Sequence, residues 1–166
     1  MDQEQEVEAQ EQQNVPEEQE VEAQQIEDGI KEHLKKPDIP KLDRILKAGT
    51  ELLFGKDSHY KMLDGLESSQ DVSGDLGKGA FGMALMLLKQ SGNTLPGELL
   101  IPAGVILLAR LVEFMNSEGS GMPQVSEDDY EQAVHVFTTL TMDKLDPEFK
   151  NKIQSQGQPL LNQEVQ

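Results

Sequence analysis

Residues 77–82 read Gly-Lys-Gly-Ala-Phe-Gly, the spacing GxGxxG. In nucleotide-binding proteins such glycines let the backbone approach a phosphate at a helix N-terminus. That chemistry needs a strand just before the glycines, and residues 71–76 (DVSGDL) lack the pattern of one. The glycine-rich loop of protein kinases looks similar. It also needs a strand lysine, a catalytic loop and a metal-binding Asp motif, and none of these is found in 166 residues. Gly77, Gly79 and Gly82, with Ala80 and Ala84, are therefore expected to allow close approach of another helix.

Other chemically capable residues are scattered. Asp57, Ser58 and His59 have the residue types of a catalytic triad, but a triad is built from side chains that converge in space. Glu131 and His135 stand four residues apart and could share a metal, yet no third ligand has a recognisable spacing, and His33 is remote in sequence. The acids of residues 71–75 lack the ligand spacing of a calcium loop. There is no cysteine, hence no disulfide, thiolate nucleophile or thiolate metal site. No catalytic residue, metal ligand or cofactor site is expected, and the chain reads as non-enzymatic.

The net charge of −17 suggests a polyanion, but its distribution is uneven. Residues 1–30 hold eleven acids and no Lys or Arg, which leaves 20 acids and 14 bases in residues 31–166. The remainder carries about −6, ordinary for a domain of this size. With no basic stripe, direct sequence-specific binding to nucleic acid is not expected. A DNA mimic is disfavoured too, because it needs its carboxylates on a folded surface. The opening MDQEQEVEAQ lacks the basic and apolar regions of a secretory leader, so none is expected.

These residues must be positioned by helices. The seven aromatics include no Trp, so the core rests on Leu, Ile, Val, Met and Ala. Residues 1–15 are Glu/Gln-rich and are expected to be disordered. The heptapeptide EQEVEAQ occurs at 4–10 and again at 18–24, which reads as local duplication in a low-complexity tract. In residues 16–37, Val21, Ile26, Ile30 and Leu34 form a narrow apolar stripe, with acids at the start and lysines at the end. This predicts a marginal amphipathic helix over 17–36 that needs a surface to lie against. Residues 40–153 then read as an all-α bundle of five or six helices: 40–55, 58–69, 76–90, 97–117, 126–142 and a last short one over 146–153. Residues 68–75 read as a loop or a frayed helix entry, and 154–166 as a polar tail.

Two apolar segments dominate this bundle: 79–88 (GAFGMALMLL) and 99–115 (LLIPAGVILLARLVEFM). The second spans about 26 Å as a helix, short of the roughly 30 Å hydrocarbon core. It carries Arg110 and Glu113, both costly at a bilayer centre. A soluble hairpin is expected, with Arg110 and Glu113 on its exposed edge.

The stretch NTLPGELLIPAGVILLARLVEFMNSEG followed by SEDDYEQAV resembles small helical proteins of tailed bacteriophages. The matching LPxxLLxPAxxxLL residues are Leu95, Pro96, Leu99, Leu100, Pro102, Ala103, Leu107 and Leu108. The resemblance covers at most residues 70–140. It implies a virion or head-assembly role, with residence in the virion and in the host cytoplasm during assembly. It supplies no catalytic residue. The expected partners are other virion proteins (portal, capsid or tail) or further copies of the chain. The candidate partner-binding residues are Val21, Ile26, Ile30, Leu34, Met83, Met86, Leu107 and Leu111. Two alternatives stand beside this reading: a membrane-active helical hairpin delivered with ejected DNA, and a soluble inhibitor of a host protein acting through the acidic arm.

Overall fold

The computed structural model describes residues 21–144, apart from the side chains of 56–61. The acidic segment 1–15, the first residues of the predicted helix 17–36, the predicted helix 146–153 and the tail lie outside the described residues. Within them the protein is an all-α bundle: α1 (Ala23–His33), α2 (Ile39–Phe54), α3 (Lys56–Glu67), α4 (Val72–Gln90), α5 (Gly97–Asn116) and α6 (Glu127–Lys144). A single 3-10 turn, Lys36–Asp38, joins α1 to α2.

Helix α5 packs against α1, α2, α4 and α6, and α3 packs on α2 and α4. Leu99, Ile106, Leu107, Leu108, Ala109, Val112 and Met115 are at most 1% exposed. Its 20 residues reach about 30 Å, but no described helix is long and apolar enough to cross a membrane. Two acceptor–donor pairs fix its far end. The Asn116 amide oxygen accepts from the Val125 N–H at 2.8 Å, and its amide nitrogen donates to the Val125 carbonyl at 2.8 Å. Residues 117–124 are thereby drawn into a closed loop.

Helix α6 starts where its sequence says it should. The Ser126 hydroxyl accepts from the Asp129 N–H at 3.1 Å, and the Asp129 carboxylate accepts from the Ser126 N–H and hydroxyl in return. Those bonds from Ser126, reinforced by the Ser73 hydroxyl, hold the Asp129 carboxyl below its ordinary range against the opposing effect of burial. The Ser73 contact pairs the start of α4 with the start of α6, and Gly77 lies against Ala133 and Val136, so the two helices run in the same direction.

Residues 72–75, expected as a loop or a frayed entry, form the ordered first turn of α4. Asp71 caps it by accepting the Gly74 N–H at 3.0 Å, and Asp75 accepts from the Ser69 hydroxyl at 2.6 Å. The expectation for the glycines holds at one position of three. A Cβ on Gly77 would stand 2.6 Å from the Val136 Cβ and 2.7 Å from the Ala133 carbonyl oxygen. Gly79 and Gly82 have nothing within 4 Å of an added Cβ. They lie on the other side of α4, because the steps 77, 80, 84 face inward and leave 79 and 82 outside. The close approach at α5 comes instead from Gly104, under the Phe137 ring, and from Gly49 of α2, under Leu107.

Candidate interaction site

The expected exposed edge of α5 is covered in part: Arg110 is half-buried, while Glu113 is exposed. Helix α1 lies along it, antiparallel, and the polar side chains of the edge are what it docks on. The Ala23 N–H donates to Glu113 Oε2 at 3.0 Å. One turn along, Glu27 is 6% exposed and accepts from Arg110 Nη2 and Lys31 Nζ, both at 2.6 Å. Arg110 Nη1 donates to the Thr50 hydroxyl of α2 at 2.6 Å, and Lys31 also pairs with Asp43 of α2 at 2.7 Å. Five charged side chains and a hydroxyl thus tie α1, α2 and α5 together.

The electrostatics favour this arrangement as it stands. Burial pushes the Glu27 carboxyl up, but the hydrogen bonds from Lys31 and Arg110 outweigh it and hold the group below its ordinary value. Lys31 is raised above its ordinary value, first by the bond to Asp43 and then by that to Glu27. A buried carboxylate between two cations is fully satisfied, and no buried side-chain N or O among the described residues lacks a partner.

The proposed partner-binding residues divide into three groups. Val21 is buried at 7% although it precedes the helix, and Ile26, Ile30 and Leu34 are half-buried against the same core. The stripe predicted for 17–36 therefore has a surface to lie against within its own chain. Met83, Leu107 and Leu111 are 4%, 1% and 4% exposed, so in this bundle they are core side chains rather than free surface. Only Met86 stands out, at 45%. Around it on α4 are half-buried Leu85 and Leu88, exposed Gly82, and exposed Lys78 and Lys89 at either end of the face. The 78, 82, 85/86, 89 spacing places Lys78, Gly82, Leu85, Met86 and Lys89 on one side of the helix. Leu85, at the same helical spacing from Lys78, Gly82 and Lys89, joins Met86 on this face.

Two further features bear on chemistry. A partly open groove of about 520 Å³ lies between α2, the end of α4 and the turn before α5. Ile45, Leu87 and Leu95 line it together with Lys41 and Arg44. Among the described residues, no group of three or more His, Asp or Glu could hold a metal ion. Glu131 and His135 are both exposed on α6, and His33 Nδ1 lies 2.8 Å from the Gly29 carbonyl of its own helix. The side chain of His59 lies outside the described residues. No protein-family model, curated protein or solved structure matches this chain.

Proposed function

We propose that the protein is a non-enzymatic structural or assembly component of a tailed-bacteriophage particle, binding other virion proteins through its helical bundle. The observation that carries the reading is the outer face of α4. A bundle that encloses Leu99–Met115 almost completely still leaves Met86 at 45% exposure between Leu85 and Leu88. A large apolar side chain exposed beside half-buried Leu85 suits a contact site. Lys78 and Lys89 flank it, which suits an apolar partner surface with an acidic rim. The LPxxLLxPAxxxLL pattern of residues 95–108 supports the virion assignment.

A mass-spectrometric survey of purified particles tests it. Stoichiometric presence of the chain is the expected result, with Met86→Lys lowering its incorporation. Absence from particles, or an isolated chain that captures no portal, capsid or tail protein, would sink the assignment.

A further inference from the structure

Helix α1 has little helical stability of its own. It has eleven residues, no side chain of its own caps its N-terminus, and Gly29 sits near its middle. Glu113 of α5 supplies the missing acceptor at that N-terminus. The ion pairs that anchor it, Glu27 to Arg110 and Lys31 to Asp43, are made by residues inside α1 to residues on α5 and α2. The link that follows is short and extended: Leu34 has φ −85° and ψ 152°, and Lys35 has φ −66° and ψ 139°. Pro37 then stiffens the turn into α2. An extended link of this kind can redirect the helix before it without unfolding the one after it.

We propose that α1 is an exchangeable strap, and that the α2–α5 groove it fills also accepts α1 of a second copy of this chain. The partner is specified by chemistry: a short helix with small apolar residues at its start and a Glu four residues before a Lys. The Glu meets Arg110, which Thr50 also holds, the Lys meets Asp43, and the first N–H meets Glu113. A second copy presents the same residues at the same spacing, so exchange remakes every contact that release breaks. The balance between closed and exchanged forms is then set by concentration. A short link gives the chain's own strap an effective concentration of order millimolar. Copies held side by side reach the same range, and there the straps would tie neighbours together. The inference rests on the docking geometry alone and holds whether or not the protein is part of a particle.

Charge reversal in the full-length chain tests it. Glu27→Arg and Arg110→Glu each set like charges against one another within their own chain. On mixing, an exchanged heterodimer restores an Arg–Glu pair at both junctions. The expected result is a heterodimer by sedimentation, with α1 amides exchanging about tenfold more slowly than in either variant alone. A mixture that stays the sum of two monomers, with α1 unprotected, overturns the proposal. The unmodified chain gives a second readout that needs no variant to fold. Its mass should rise with concentration toward the millimolar range, and a strict monomer there also overturns exchange.

Discussion

The two sides of α5 are built from different materials. Toward α4 and α6 it is closed by hydrocarbon and aromatic contact: Gly104 lies under Phe137, and the Tyr130 hydroxyl donates to the Val105 carbonyl at 3.1 Å. Burial in that wall also raises the Tyr130 phenol far above its ordinary value. Toward α1 and α2 the same helix adds polar contacts to apolar ones: Gly49 lies under Leu107 and Phe54 meets Phe114 edge to face, while Arg110 binds the Glu27 carboxylate and the Thr50 hydroxyl. The apolar side gains from area removed from water and accepts any neighbour of the right shape. The polar side gains little net energy, because desolvation offsets attraction, but it accepts only a neighbour with its charges in the right order. The apolar contacts therefore hold the fold together, and the polar ones select which helix completes it.

The largest expected effect lies on the apolar side. Phe137 is 0% exposed, and Phe137→Ala should cost about 3–5 kcal/mol, lowering the denaturation midpoint of the whole bundle in one transition. Loss of α1 protection alone would show that the two sides do not differ in this way.

A smaller effect is expected at the polar side. Arg110→Met leaves Glu27 buried with one cation fewer and should cost about 2 kcal/mol, read as faster amide exchange in α1 with α4 to α6 little changed. Glu27→Leu added to Arg110→Met should recover most of that loss, since an apolar pair of similar volume replaces a buried ion pair at small cost. A double variant no better than the single would mean that the network contributes more than selectivity.

Acid sharpens the contrast without mutation. The Glu27 carboxyl lies below the ordinary value of 4.5 in the folded chain. Its contribution is therefore complete above that value and is lost as pH falls through the folded one. The charged groups around it are Arg110, Lys31, Asp43 and Glu113. Protection factors of α1 should begin to drop below about pH 4.5 while those of α5 and α6 persist. Simultaneous loss in all helices would contradict a separate strap.

The smallest effect is expected outside both sides. Met86→Lys changes an exposed position and should move stability by less than about 0.5 kcal/mol, measured by chemical denaturation. A large loss would mean that the outer face of α4 is already covered by the chain itself.

What could be read from the sequence follows the range of each signal. Helix α6 was legible because its start is local: Ser126, the acids after it and the apolar steps to Phe137 all fall within a dozen residues. The central position of α5 was legible because it is apolar nearly all round. The partner of Arg110 was not, since Glu27 lies 83 residues away. Periodicity tells which face of a helix is polar, not which element will cover it. That is why the covering of Arg110 by α1 could not be read, and why the stripe of α1 was assigned to an external partner. The glycines failed for a related reason: composition cannot say how α4 is rotated, so Gly77 and Gly82 looked equivalent. The start of α4 was obscured by its Ser and Gly content, although the Asp71 to Gly74 spacing was a readable cap.

The clasp of Asn116 on Val125 separates the geometry of the α5–α6 corner from the length of the chain between them. The side chain of one residue holds both ends, so residues 117–124 need not. Gly119 and Gly121, at φ 79° and 69°, already sit at the tip of that stretch. Lengthening such a segment costs slowly with size, about 0.6 kcal/mol per doubling. The corner is thus a natural port: a fluorescent label or affinity peptide spliced there would be carried outward on a tethered ring, leaving the helices on either side in register.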